Sequence, residues 1–514
     1  MAIWVVLAGI LVAIAAVWAA NIVNSMWVRP RRMEKHLRRQ GLRGNPYRLF
    51  TGDIKENYSM IRQALSKPIN IGDDIALRCI PFYHRMINLG YNFVWMGPIP
   101  RVFITNPAQI KEILSKNYEF RKSVTNPVSR LLITGLVDHE GEKWAKHRKL
   151  INPAFHQEKL KKMLPAFYES CRGLVVKWQN LVSENGSCEV DVWPCFSSLT
   201  SDVISRTAFG SSYEEGKRIF QLLDELLLLT TQALQSAYFP GFRFVPTKLN
   251  KRMWNVDKEV KAALKVIINR REEAMRKGEA ANDDLLGILM ESNHREIKEH
   301  GNDHKCGMNL ADVIDECKIF YLAGQETTSV LLVWTMVLLG HHSDWQARAR
   351  EEVMSVFGQS KPVEFEGLNR LKIVTMILYE VLRLYPPANA IIRAVSKETK
   401  LGDLLVPAGA QLIVPTLLVH QDPELWGEDA KEFKPERFAE GVSKAASNQV
   451  SYLPFGWGPR ICVGQNFALL EAKMALAMIL QSFSFELSPT YTHAPHNAFS
   501  LRPQHGAHLI LHKI

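Results

Sequence analysis

The first 28 residues carry no charged side chain. A helix over most of that stretch, rising 1.5 Å per residue, crosses a hydrocarbon core of about 30 Å. A single segment can span lipid only as a helix, because every backbone N–H and C=O must be satisfied within it. Trp4, Trp18 and Trp27 lie along it, the outer two where interfacial aromatic residues sit. Arg29, Pro30, Arg31 and Arg32 follow at once, which places the next part of the chain in the cytosol. A cleaved leader fits less well: leaders begin with positive charge, and nothing before Arg29 is positive. The expectation is a single-pass protein with residues 1–28 as a transmembrane anchor, 29–46 as a basic juxtamembrane linker and 47–514 as one cytosolic body.

The formal net charge is +11, and much of it is local, since residues 29–43 hold seven Lys/Arg against Glu34 alone. No basic stripe with interleaved aromatic residues appears elsewhere, which argues against a nucleic-acid partner. Seven cysteines, odd in number and with no C-x-x-C pair, frame neither a disulfide scaffold nor a zinc site and fit a reducing compartment. Helical periodicity dominates the body, with clear helices over 160–185, 213–234, 256–277, 310–339 and 368–385. Strand-like runs are short: 93–96, 102–105, 391–395 and 411–414. No Gly/Pro/Ser-rich linker divides the body. One large, mainly α domain with a small β region is predicted.

Residues 455–464 read Phe-Gly-Trp-Gly-Pro-Arg-Ile-Cys-Val-Gly, and a long apolar run follows. Cys462 is thus expected in a Gly-rich turn at a helix N-terminus, where N–H groups and the helix dipole favour a thiolate. A thiolate is the axial ligand that pushes electron density onto haem iron. Gly458 and Gly464 allow a tight turn and close approach to a flat macrocycle. Arg460 can pair with a haem propionate, and Phe455 can shield the sulfur.

Three further patterns stand out. Ala323-Gly324-Gln325-Glu326-Thr327-Thr328 lies inside an apolar helix with Asn309 at its expected N-cap. An acid beside an alcohol in such a helix needs partners or a task. Ala323 and Gly324 remove bulk and can leave room for a small ligand. Glu380 and Arg383, three apart in apolar surroundings, form an expected buried ion pair that requires another partner. Trp144 and Arg148, four apart, share a helix face.

Taken in order, F-x-x-G-x-R-x-C-x-G, the acid–alcohol run, E-x-x-R and W-x-x-x-R resemble the four motifs of the cytochrome P-450 family. The family implies a mainly α cytochrome P-450 fold and haem b (iron protoporphyrin IX) ligated by Cys462. It implies that Thr327 hydrogen-bonds the oxygen being activated while Glu326 connects it to a proton supply. It adds Arg437, from Pro435-Glu436-Arg437-Phe438, to the structural Glu380–Arg383 pair, and it assigns Trp144, Arg148, Arg460 and Arg393 to the propionates. The implied partners are O2, an NADPH–cytochrome P-450 reductase, membrane lipid and a lipophilic substrate, at the endoplasmic reticulum membrane. Finer runs, such as 42–47, 151–155 and 207–213, resemble plant 72-clan enzymes, relatives of secologanin synthase and triterpenoid oxidases.

Family position makes 124–135, 226–245, 387–392 and 495–501 the expected pocket lining, with Phe239, Phe242 and Phe244 prominent. A triterpenoid is the favoured substrate, and an iridoid, secoiridoid or gibberellin the alternative; an iridoid carboxylate would call on Arg130 or Arg243. A haem-thiolate isomerase or dehydratase would lack the acid–alcohol pair, and a sterol or haem carrier would need neither that pair nor the full Cys loop.

Overall fold

The computed structural model describes residues 2–122, 129–182, 186–210, 213–234, 245–279, 283–301, 303, 305–359 and 362–514. Residues 2–39 form one helical rod: α-helix Ala2–Val23, a π-helical stretch Asn24–Val28 and α-helix Arg29–Arg39. The apolar first part is exposed on all sides, and the helix is long and apolar enough to cross a membrane. The rod meets the body at the π-helical stretch, where Met26 is buried and its carbonyl accepts the Tyr47 hydroxyl at 2.6 Å. The basic segment is therefore helical and docked. Pro30, Met33 and Leu37 are buried, and Arg29 donates to the Ala408 carbonyl at 3.0 Å.

The body is built around helix Leu310–His341, which is apolar on nearly every face and almost wholly buried from Val313 to Leu339. Asn309 caps it in a reciprocal box with Asp312. Helix Val192–Phe209 packs along it, and at Gly324 the approach is close: a Cβ there would lie 2.7 Å from Ile204. The space freed by Gly324 thus admits Ile204 and leaves Ala323 and Thr327 to face inward space. Helices Gln157–Leu181, Tyr213–Leu234, Lys248–Lys277 and Gln465–Ser482 complete the layers around it.

The expected helix over 368–385 is two helices, Phe365–Arg370 and Lys372–Leu384, broken at Leu371. Glu352 accepts the N–H groups of Lys372, Ile373 and Val374, a cap supplied from a distant segment. The strands are β1 Phe93–Met96, β2 Ile99–Phe103, β3 Phe120–Lys122, β4 Ser187–Asp191, β5 Ile391–Val395 and β6 Thr399–Leu401. They continue with β7 Leu404–Val406, β8 Gln411–Val414, β9 Phe483–Leu487, β10 Pro495–Asn497, β11 Leu501–Pro503 and β12 His508–Lys513. The main sheet runs β1-β2-β8-β5-β3, antiparallel except for the β2–β8 pair. It carries Lys122 and Arg393 on paired residues of β3 and β5.

Candidate active site

Cys462 lies between the 3-10 turn Gly458–Arg460 and helix Gln465–Ser482. Its N–H donates to the Phe455 carbonyl at 2.9 Å and closes the loop. Gly458 has φ +72°, and a Cβ there would fall 2.5 Å from the Leu114 carbonyl oxygen, so only glycine fits. Gly464, by contrast, has an ordinary φ of −89°. Its role at the sulfur is a backbone hydrogen bond to Cys462.

Burial pushes the Cys462 thiol up, and the Gly464 N–H, Arg148 and Lys122 recover only part of that. A metal cation bound to the sulfur would favour the thiolate. Cys462 presents surface, yet protein surrounds it, so the sulfur faces interior space and not bulk water. The same holds on helix Leu310–His341: Ala323 is exposed and Thr327 half-buried, one turn apart on the same face, amid buried neighbours. Phe155 stands between the two elements, with its ring 6.2 Å from Phe320 and 6.4 Å from Phe467.

Cations crowd one side. The Arg460 guanidinium lies 4.6 Å above the Trp144 ring, and its Nη2 is 2.8 Å from Glu140 Oε1, misaligned for a hydrogen bond. Arg460 Nη1 donates to the His139 carbonyl at 3.0 Å. Arg393 donates to the Ile392 carbonyl at 3.1 Å. Arg393 Nε and Arg460 Nε are buried without a hydrogen-bond partner among the described residues. Burial lowers Arg393 to about 10, with Arg460 adding to the effect. Burial, followed by Arg393 and Arg460, lowers Lys122 to about 7. Three cations against one carboxylate form a cradle that asks for anions, and the two carboxylates of haem propionates would meet that need. Lys122 was not legible in the sequence, because no motif marks a lysine in a three-residue strand. Arg148 lies apart from this cluster and donates to the Ile461 carbonyl at 2.8 Å, inside the Cys loop.

Glu326 is wholly buried and turned away from Thr327. It accepts Arg502 Nε and Nη2, each at 2.5 Å, and the Ser500 hydroxyl. Thr327 instead donates to the Ala323 carbonyl at 2.8 Å. The sequence did not single out Ser500 or Arg502.

Glu380 and Arg383 form the expected buried pair, with two hydrogen bonds at 2.8 and 2.7 Å. Arg437 Nε reaches Glu380 at 3.4 Å, and the Lys434 N–H donates to it at 2.8 Å. Arg383 also donates to the carbonyls of His420, Ala430 and Glu432. His420, another residue missed, links this knot to the Cys loop. One ring nitrogen pairs with the Arg383 carbonyl at 3.2 Å and the other accepts the Leu453 N–H at 2.8 Å. That bonding requires the neutral ring, and burial lowers its pKa to about 3.

The described part of the first expected pocket wall is pinned to the central helix. Lys318 donates to the Leu131 carbonyl, Thr134 to that of Asp315 at 3.2 Å, and the Leu136 N–H to Glu316 at 2.9 Å. Residues 124–128 and 235–244, with Phe239, Phe242, Arg243 and Phe244, lie outside the described residues.

A cysteine at a glycine-shaped turn, facing interior space beside three buried cations that share one carboxylate, is a site fit for a haem thiolate. The family model that matches is Cytochrome P-450, over residues 91–510. CYP72A219 of Panax ginseng is 59% identical, over 98% of this chain and 97% of its own length. The 7-deoxyloganic acid hydroxylase of Catharanthus roseus is 54% identical, over 98% of each chain. The 11-oxo-beta-amyrin 30-oxidase of Glycyrrhiza uralensis is 55% identical, over 100% of this chain and 98% of its own. The fold matches that of retinoic acid bound cyanobacterial CYP120A1, with a TM-score of 0.75 at 24% identity, covering 92% of this chain and 98% of that one. The chain belongs to the cytochrome P-450 family, and it is a haem-dependent monooxygenase.

Proposed function

We propose that this enzyme hydroxylates an unactivated C–H bond of a terpenoid, a triterpenoid in preference to an iridoid, with electrons from an NADPH-dependent reductase in the same membrane. The anchor would hold it on the cytosolic face of the endoplasmic reticulum, with residues 1–28 in lipid and 47–514 as the catalytic domain. Haem, when bound, supplies the oxygen-activating chemistry. Cys462 would ligate the iron, and Arg460, Arg393 and Lys122 would hold the propionates, with Trp144 beneath Arg460. Arg148 would steady the loop behind the sulfur, and Phe455 would cover it. Thr327 would hydrogen-bond the oxygen side of the site, and Glu326 would supply its proton.

The observation that carries the substrate choice is the state of the cations at the pocket wall. An iridoid carboxylate needs a free one. Arg130 lies 3.5 Å from Asp138, and Arg502 is taken by Glu326 and Asp224. The described wall is otherwise mainly apolar, with Leu131, Leu132 and Ile133, which suits a large hydrocarbon skeleton. Two relatives named for 7-deoxyloganic acid and for 11-oxo-beta-amyrin, at similar identity, support both classes and do not separate them. The test is co-expression with a plant reductase in microsomes, with NADPH and a panel of triterpenoids, iridoids and gibberellins. An oxygenated triterpenoid that requires NADPH is the expected product. Turnover of iridoid acids alone would overturn the preference, and no NADPH-dependent product from any scaffold, with the haem-thiolate spectrum intact, would overturn the terpenoid assignment.

A further inference from the structure

Strand β11, Leu501–Pro503, and Ser500 just before it do more than close the fold. Among the described residues, the side-chain bonds to the Glu326 carboxylate come from this segment. Arg502 presents Nε to Oε1 and Nη2 to Oε2, the two-pronged geometry that a guanidinium makes with a carboxylate. Ser500 adds a hydroxyl donor to Oε1. Ser500 and Arg502 are two residues apart, and both side chains reach the same carboxylate. Between them, the Leu501 carbonyl accepts Trp334 Nε1 at 2.7 Å. Trp334 lies about two turns beyond Glu326 on the same helix. Helix and strand are thus fastened at two points, which fixes their register.

Two features connect this clasp to its surroundings. On its outer side Arg502 lies 3.7 Å from Asp224, whose side chain is half exposed, and 5.6 Å from the Trp193 ring. His496, on β10, is another titratable group felt there, and burial with the charges of Arg78 and Arg502 lowers its pKa. On the inner side, Phe499 directly precedes Ser500. It is 39% exposed in the turn of the β10–β11 hairpin, within the stretch expected to line the pocket. A substrate pressing on Phe499 therefore acts one residue away from the group that holds the acid.

We propose that Arg502, with Ser500, is the positioning element for Glu326, holding it turned from Thr327, and that the β10–β11 hairpin couples substrate contact to this acid. The proposal rests on the reading of Glu326 as the proton-supplying group. A wholly buried carboxylate stays charged only when paired and hydrogen-bonded. With Arg502 gone, the Ser500 hydroxyl is the one side-chain bond that still holds the carboxyl group in place among the described residues.

The test uses the haem-loaded full chain in lipid nanodiscs, comparing wild type, Arg502→Gln, Arg502→Lys, Ser500→Ala and Glu326→Gln. Infrared difference titration from about pH 5 to 9 follows carboxyl groups, and Glu326→Gln identifies the Glu326 band. The expected result is the same Glu326 band in wild type and in Arg502→Lys. Arg502→Gln is expected to change that band, and the change disappears when Glu326→Gln is added. In parallel, the share of NADPH electrons recovered in product, relative to peroxide, is expected to fall about tenfold or more in Arg502→Gln, to recover in Arg502→Lys, and to fall less in Ser500→Ala. An intact reduced-CO thiolate spectrum shows that each variant is folded; should Arg502→Gln lose it, Ser500→Ala and Arg502→Lys carry the test. Arg502→Gln with an unchanged infrared titration and unchanged coupling would overturn the proposal. Glu326→Gln with wild-type coupling would overturn the underlying reading of Glu326, while the infrared arm separately decides what Arg502 does.

Discussion

Two glycines of the Cys loop separate backbone strain from crowding. Gly456 and Gly458 both have positive φ, +74° and +72°. A Cβ at Gly456 meets nothing within 4 Å, whereas one at Gly458 lies 2.5 Å from the Leu114 carbonyl oxygen, 3.1 Å from its carbon and 3.4 Å from Ser115 Cα. Gly456→Ala therefore carries only the left-handed penalty, about 1–2 kcal/mol. Gly458→Ala carries that and must also push the loop off the end of helix Pro107–Ser115, whose backbone cannot turn aside as a side chain would. Overpacking of this kind adds about 1–3 kcal/mol, giving about 2–5 kcal/mol in all. The movement falls on the segment that holds Cys462. The assay is the fraction of purified protein with the reduced-CO thiolate spectrum, and the temperature at which that spectrum is lost. Gly456→Ala is expected to load haem normally with a modestly lower midpoint, and Gly458→Ala to load poorly. Equal behaviour of the two would refute the claim that contact with Leu114 fixes the loop.

Other outcomes follow from the same geometry. Arg383→Leu leaves Glu380 buried without its two-pronged partner, a loss of about 3–5 kcal/mol, so little haem-loaded protein should be recovered. Arg383→Lys should rescue only part, since it cannot also reach the carbonyls of His420, Ala430 and Glu432. Burial lowers His420 to about 3 and His139 and His493 to about 4, so all three are neutral in the fold and charge on unfolding. Stability should be full above about pH 6.5 and decline as pH falls toward 4, read as the thermal midpoint of the thiolate spectrum. His420→Gln should flatten that decline, and an unchanged slope would count against the assignment.

The parts of the site legible in the sequence were those written as short-range patterns. The Cys loop, the acid–alcohol pair and Glu380–Arg383 each lie within ten residues, and chain geometry alone brings their members together. The Asn309 cap was legible for the same reason. What escaped was assembled across long separations by packing. Arg502 meets Glu326, His420 meets Leu453, and Lys122 meets Arg393 through the β3–β5 pairing. None of these has a periodic or local signal. Among the strands, β1, β5 and β8 were legible with their bounds and β2 was begun three residues late, but the three-residue strands β3, β6, β7, β10 and β11 were missed, since so few residues cannot establish an alternation. The break at Leu371 depends on Glu352, which no window centred on the helix contains. Gly324 shows a subtler limit: the sequence marked the small residue correctly, but only the packing shows that Ile204 occupies the space.

The central claim is that Cys462 holds haem iron through its sulfur. The most direct measurement is the reduced, CO-treated absorption spectrum of the purified full chain beside Cys462→Ala, with total haem determined in both. The thiolate-type band in wild type, absent from Cys462→Ala while the circular dichroism of the helices is kept, is the expected result. A band that survives in Cys462→Ala, or well-folded wild-type protein that binds haem without it, would contradict the account.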